Sequence, residues 1–212
     1  LAGVLVVIMP LAILLLNKLY SAMNTRFIGM QMTVSFNALI MILILLSTNI
    51  DVASVFSRDG SSAYLNKVQP TPYGQLLFSK LLPNAVIGLV GVVVTIIIYA
   101  PYSPLTITDF IFFAVSIFSV FICHLFWSAE LDVMNPQYSQ YATFNEQANN
   151  PNENMSGIIM LILAVLTFVL PLLLSSSEPT GVWVKAGIIT AALAVFKVVT
   201  FFLKVKVYYK EK

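Results

Sequence analysis

Six apolar runs, each close to the length a helix needs to cross a bilayer, constrain this chain more than any other feature. They lie near residues 1–16, 28–48, 82–101, 107–128, 156–175 and 181–203. A hydrocarbon core about 30 Å thick takes roughly 20 mostly apolar helical residues. Backbone groups in lipid must be satisfied internally, which leaves helices or closed barrels. Val, Ile and Phe are frequent in several runs and would favour strands in water. The runs are continuous rather than alternating and too long for strands, so helix is expected. Only 9% of the 212 residues are charged, against about 25% in soluble domains, so a water-solvated shell cannot be built. The expected fold is an all-α membrane protein: one transmembrane domain over residues 1–212 with six transmembrane helices. The chain opens at Leu1 inside an apolar stretch with no charged leader, and reads as a truncated amino terminus rather than a signal peptide.

Lys and Arg orient the bundle. With the carboxyl terminus inside, Arg58, Lys67, Lys80, Lys204, Lys206, Lys210 and Lys212 are cytoplasmic, and Lys18, Arg26 and Lys185 are outside. The cytoplasmic parts are then a loop over 49–81, a second loop over 129–155 without Lys or Arg, and a tail over 204–212. Thr106 and Asp109 have capping-box spacing, suiting a helix start on the outer face. Ser175 to Thr180, with Pro179, suits a tight outer hairpin.

In the first loop, Ser57 or Asp59 can cap a helix, and Ala63, Tyr64, Leu65, Lys67 and Val68 can continue it for two or three turns. Pro70 and Pro72 end it. Tyr73 to Leu82 then restarts as a helix that runs into the bilayer. On physical grounds this short helix is equally an interfacial helix resting on headgroups or a rigid element that transmits motion. The second loop carries Asp132, Pro136, Tyr141, Asn145 and Glu146 among polar residues.

The order Ser57-Arg58-Asp59-Gly60, then Tyr64-Leu65-Asn66-Lys67, a proline break and Ser79-Lys80-Leu81-Leu82 resembles the coupling segment of type 2 ATP-binding cassette permeases. Gln69 and Pro72 stand where Leu and Ser are more usual in that family. Asp132, Pro136, Tyr141, Asn145 and Glu146 are similar to the second inner loop of its bacterial exporters, although the family's Lys and Trp positions are not clearly matched. The resemblance covers about residues 47–155. It implies a permease of the bacterial plasma membrane that couples ATP hydrolysis in a separate nucleotide-binding subunit to substrate movement. Ser57, Arg58, Asp59, Gly60, Ser61, Ser62, Ala63, Tyr64, Leu65, Asn66 and Lys67 would then contact that subunit. It further implies a second permease half, either another copy or a homologous half upstream. ATP and Mg would belong to the partner, and this chain would hold no cofactor or metal.

Other readings of the residues are weaker. There is no Gly-x4-Gly-Lys-Ser/Thr loop for ATP phosphates, no His-Glu-x-x-His and no Ser/His/Asp set, so the chain is not expected to be an enzyme. A net charge of +2 without a basic tract gives no reason to invoke nucleic acid. One cysteine, Cys123, forms no internal disulfide. His124, beside Trp127, reads as an interfacial anchor, and Lys197 as a snorkelling flank. Glu130, Asp132, Glu146 and Glu153 read as solvated loop acids. Gly88 and Gly91 read as packing positions, and Thr33, Ser35, Asn37, Ser116 and Ser119 as a polar seam or helix contacts. The alternative function is an ion-driven secondary transporter or channel without an ATPase partner.

Overall fold

The structure, a computed structural model, describes residues 27–65, 73–141, 149–177 and 181–210. Among them the chain is all-helical, with five helices long and apolar enough to cross a membrane. These are α1 (Phe27–Ser47), α2 (Tyr73–Tyr99), α3 (Ile107–Met134), α4 (Pro151–Ser177) and α5 (Val182–Lys210). The expected first span, near residues 1–16, lies outside the described residues. The remaining expected spans each fall on one of the five helices. Short 3-10 segments, Ile50–Ser54, Ser57–Tyr64, Ala100–Tyr102 and Tyr138–Tyr141, occupy the connections.

The long apolar helices alternate in direction, so the end of α1, the start of α2, the end of α3, the start of α4 and the end of α5 gather at one end of the bundle, the loop end. α3 is the central element: it runs along α5 and also meets α1, α2 and α4, while α1 pairs mainly with α4. Their shared core contains Val34, Met41, Ile42, Leu45, Ile117, Val120, Phe121 and Leu163. α2 leans on this core with a narrow face. Gly88 makes that approach possible, since a Cβ there would lie 2.3 Å from Phe121 Cζ. The rest of α2 presents Phe78, Val86, Val90, Val93 and Ile97 outward, which is ordinary for a lipid-facing helix. α2 also continues unbroken through Pro83, as α4 does through Pro171. The helix expected to restart at Tyr73 is therefore one piece with the following span.

Local chemistry sets the helix starts. Thr106 Oγ1 accepts from the Asp109 N–H at 3.2 Å, the expected cap of α3. Asn150 caps α4, accepting the Asn152 N–H at 2.9 Å on its side chain, with Pro151 in the first turn. Gly181, at φ 68°, turns the chain into α5 and accepts from the Lys185 N–H.

Three expectations need correction. α3 extends to Met134 and α4 begins at Pro151, so residues 129–134 and 151–155 are helical projections rather than loop. α5 likewise runs on through residues 204–210, which were expected to be a tail. The described part of the expected coupling helix is a 3-10 run, Ser57–Tyr64, broken at Gly60 (φ 50°, ψ −127°). Gly60 adopts a conformation that L side chains avoid, so no single α-helix passes through it. Residues 66–72, the proposed end of that helix, lie outside the described residues.

Candidate functional site

The Ser57–Tyr64 segment is drawn against the loop-end projections of α3 and α4 by one carboxylate. Asp132, on the last turn of α3, is fully buried. Its Oδ2 accepts from the Phe56 N–H at 2.6 Å and the Ser57 N–H at 3.1 Å. Its Oδ1 accepts from the Ser57 hydroxyl and, at 3.4 Å, from Asn152 Nδ2 at the start of α4. Ser57 Oγ in turn accepts from the Gln137 N–H at 2.7 Å, and Asn152 Nδ2 donates to the Asn135 carbonyl at 2.8 Å. A buried carboxylate is tolerated when hydrogen bonds replace its water. Asp132 is thus a junction at which the first connection, the second connection and two membrane helices meet.

Further contacts frame this junction. Gly60 lies against the second connection so closely that a Cβ would sit 2.6 Å from the Tyr141 carbonyl oxygen. Tyr141 donates its hydroxyl to Glu153 Oε1 at 3.1 Å. On the other flank Lys80, from α2, donates to Asp59 Oδ1 at 2.7 Å and to the Val55 carbonyl at 3.2 Å, with its ammonium over the Phe56 ring. Arg58 reaches Asp51 at 3.4 Å and Glu153 at 3.8 Å from an exposed position. Below the polar layer, Val52, Phe56, Leu77, Leu81, Leu125, Ala129, Val133 and Phe201 form a second apolar cluster.

The expected site residues therefore separate into distinct groups. Ser57, Gly60, Asp132 and Tyr141 come together, with Pro136 half-buried nearby in the chain. Asp59 is held by Lys80. Arg58, Ser61, Ser62 and Leu65 are exposed, and Ala63 and Tyr64 complete the 3-10 run. Asn66, Lys67, Asn145 and Glu146 lie outside the described residues. Asp132 and Glu153 are corrected from solvated loop acids to hydrogen-bonded members of the junction.

Two further polar groups were read differently from the sequence. Lys197 is no free flank: only 8% exposed, it donates to Glu130 Oε2 at 2.6 Å and stands 4.6 Å from the Trp127 ring centre. Lys204 holds the other oxygen of Glu130 at 2.6 Å. His124 is buried between α3 and α4 rather than anchored at an interface. Its Nε2 lies 3.0 Å from the Ser156 carbonyl, and a carbonyl can only accept, so that nitrogen carries the proton. Ser128 and Ser156 bond to each other beside it at 2.7 Å. The sequence signals that Lys197 needs a partner, because a charge within an apolar run demands one, but not that the partner is Glu130, 67 positions away.

Chemically, the junction is a set of hydrogen bonds that ties the first connection to α3 and α4. Among the described residues no set of His, Cys, Asp and Glu is arranged to bind a metal ion. No family model, curated protein or solved structure matches the chain.

Proposed function

We propose that this chain is the transmembrane permease component of an ATP-binding cassette exporter, multi-pass in a bacterial plasma membrane with its carboxyl terminus in the cytoplasm. The loop end would face the cytoplasm and receive a nucleotide-binding subunit, which holds ATP and Mg. The supporting observation is the docking of Ser57 onto Asp132. A displacement of the first connection at Ser57 would act on α3 through Asp132 and on α4 through Asn152, which bonds the same carboxylate. Ser61, Ser62 and Leu65, on the exposed side of the same segment, would be the surface offered to the ATPase. A second permease half would complete the transporter, and α1 and α4, which pack on each other, would line the path between halves.

Cysteine placed at Ser62 tests this reading. It should react with an impermeant thiol reagent from the cytoplasmic side alone and become protected when the ATPase subunit is bound. Labelling from outside would overturn both topology and function. A second test is Leu65→Asp, which should leave the bundle folded and abolish ATPase association. A carboxylate there must lose its water at the contact without gaining a partner.

The alternative, an ion-driven carrier, has the Glu130–Lys197 pair in its favour, because charges shielded inside a membrane bundle often mark ion pathways. Transport that persists without any ATPase subunit and disappears in Glu130→Gln would select it.

A further inference from the structure

We infer that the groove between α4 and α5 is a site for one anionic phospholipid of the loop-end leaflet, its phosphate held at Lys197 and Lys204 and an acyl chain lying in the groove. This rests on the chain spanning a membrane and is independent of the transport reading.

The groove has a volume of about 560 Å³ and is walled by apolar residues alone. It runs from Trp127, Ile159 and Phe196 near the loop end to Leu166 and Ile189 toward the middle of the bundle. Residues 189 and 196 are two helical turns apart, about 10 Å along the axis. A groove that deep, open on its lipid side and lacking polar groups, accepts a hydrocarbon chain and rejects water.

What distinguishes it from any other lipid-facing surface is the charge at its mouth. Lys197 follows Phe196 directly, and its ammonium sits over Trp127, the groove wall nearest the loops. Lys204 lies seven residues on, along the same side of α5. Both lysines share the single carboxylate of Glu130, leaving the cluster with one excess positive charge. Each ammonium has three donors and gives one to Glu130, so donors remain for a phosphate. The Lys204 side chain is 54% exposed and able to reach it. A phosphodiester carries one negative charge and matches the excess. A zwitterionic headgroup brings its own cation into the cluster and matches it less well. Basic pockets between membrane helices, with an apolar cleft beneath, are the usual form of such sites. Glu130 has the role of holding the lysines in place, so that the headgroup meets a fixed charge rather than two mobile side chains.

The test uses the full chain in nanodiscs of equal phosphatidylglycerol and phosphatidylcholine, followed by native mass spectrometry of the lipids it retains. The expected result is one phosphatidylglycerol retained in preference. Lys204→Gln should weaken that preference about fivefold, the scale of one lysine at a membrane surface. Ala192→Phe, which fills the groove and leaves the charges intact, should release the lipid. Equal retention of both lipids by the wild-type chain, or an unchanged preference in Lys204→Gln, would overturn the proposal. So would a dimer carrying neither lipid that Ala192→Phe converts to a monomer, since the groove would then belong to a second copy.

Discussion

At the loop end, Asp132 gathers donors from Phe56, Ser57 and Asn152, segments far apart in the chain. At the opposite end, Tyr99, Phe110, Phe113 and Trp183 pack ring against ring, with centroids 4.9 to 6.3 Å apart. Their polar supplement is small: Asn37 donates to the Tyr99 hydroxyl at 3.2 Å, and Thr106 caps α3. The connections differ in the same way. Ala100 to Thr106 is short and makes its own turn, whereas the first long connection depends on residues more than 70 positions later. Aromatic packing is spread over many individually weak contacts, so no single one decides whether that end holds. Hydrogen bonds to one buried carboxylate are directional and mutually dependent. The loop end therefore hangs on one side chain, whereas the opposite end is held by many contacts at once.

Substitutions at each end should break this comparison in opposite ways. The largest effect is expected for Asp132→Ala, which strands the buried N–H groups of Phe56 and Ser57. Each stranded donor costs about 1–3 kcal/mol, so the segment should undock and hydrate instead. Proteolysis within residues 57–65 should become rapid, with the helical bundle intact by circular dichroism. Trp183→Ala should do the reverse, lowering the unfolding temperature of the whole bundle while the first connection stays protected. Its cost should lie toward the low end of the roughly 3–5 kcal/mol seen for aromatic truncation, because lipid already solvates apolar groups and packing alone is lost.

Gly60→Ala should have an intermediate effect confined to the loop end. It combines about 1–3 kcal/mol of strain for a side-chain-bearing residue in a sparsely populated positive-φ conformation with a Cβ 2.6 Å from the Tyr141 oxygen. Undocking without global loss of stability, read from the same proteolysis, is the expected outcome. Arg58→Ala should change almost nothing, under about 1 kcal/mol, because its contacts with Asp51 and Glu153 are long and exposed. If Arg58→Ala undocked the loop as strongly as Asp132→Ala, the surface charges rather than the buried carboxylate would be holding it.

Much of this architecture is legible in the sequence, and the junction is not. Hydropathy locates α1 to α5 because lipid contact imposes a continuous apolar length. The Thr106 cap and the close approach at Gly88 follow from local spacing and residue size. Hydropathy stops where the membrane does, however, and it misses the ends of α3 and α4, whose polar residues face one another instead of water. The start of α4 was available in Asn150-Pro151-Asn152-Glu153, a cap residue, a first-turn proline and an acidic third position. Ser57 and Asp132 each stand out in their own loops, but nothing local says that they touch across 75 positions. Lys197 and Glu130 show the same limit: each is visible as a charge beside apolar residues, while their pairing is a property of helix packing.

The central claim is that Asp132 fixes the first connection to the bundle, and amide hydrogen exchange at Phe56 and Ser57 measures it most directly. In the full chain in nanodiscs these two amides should be strongly protected, and Asp132→Ala should bring them close to the rate of an unstructured amide while those of Met41 and Ile117 stay slow. Fast exchange at Phe56 and Ser57 in the unaltered chain, or protection that survives Asp132→Ala, would contradict it.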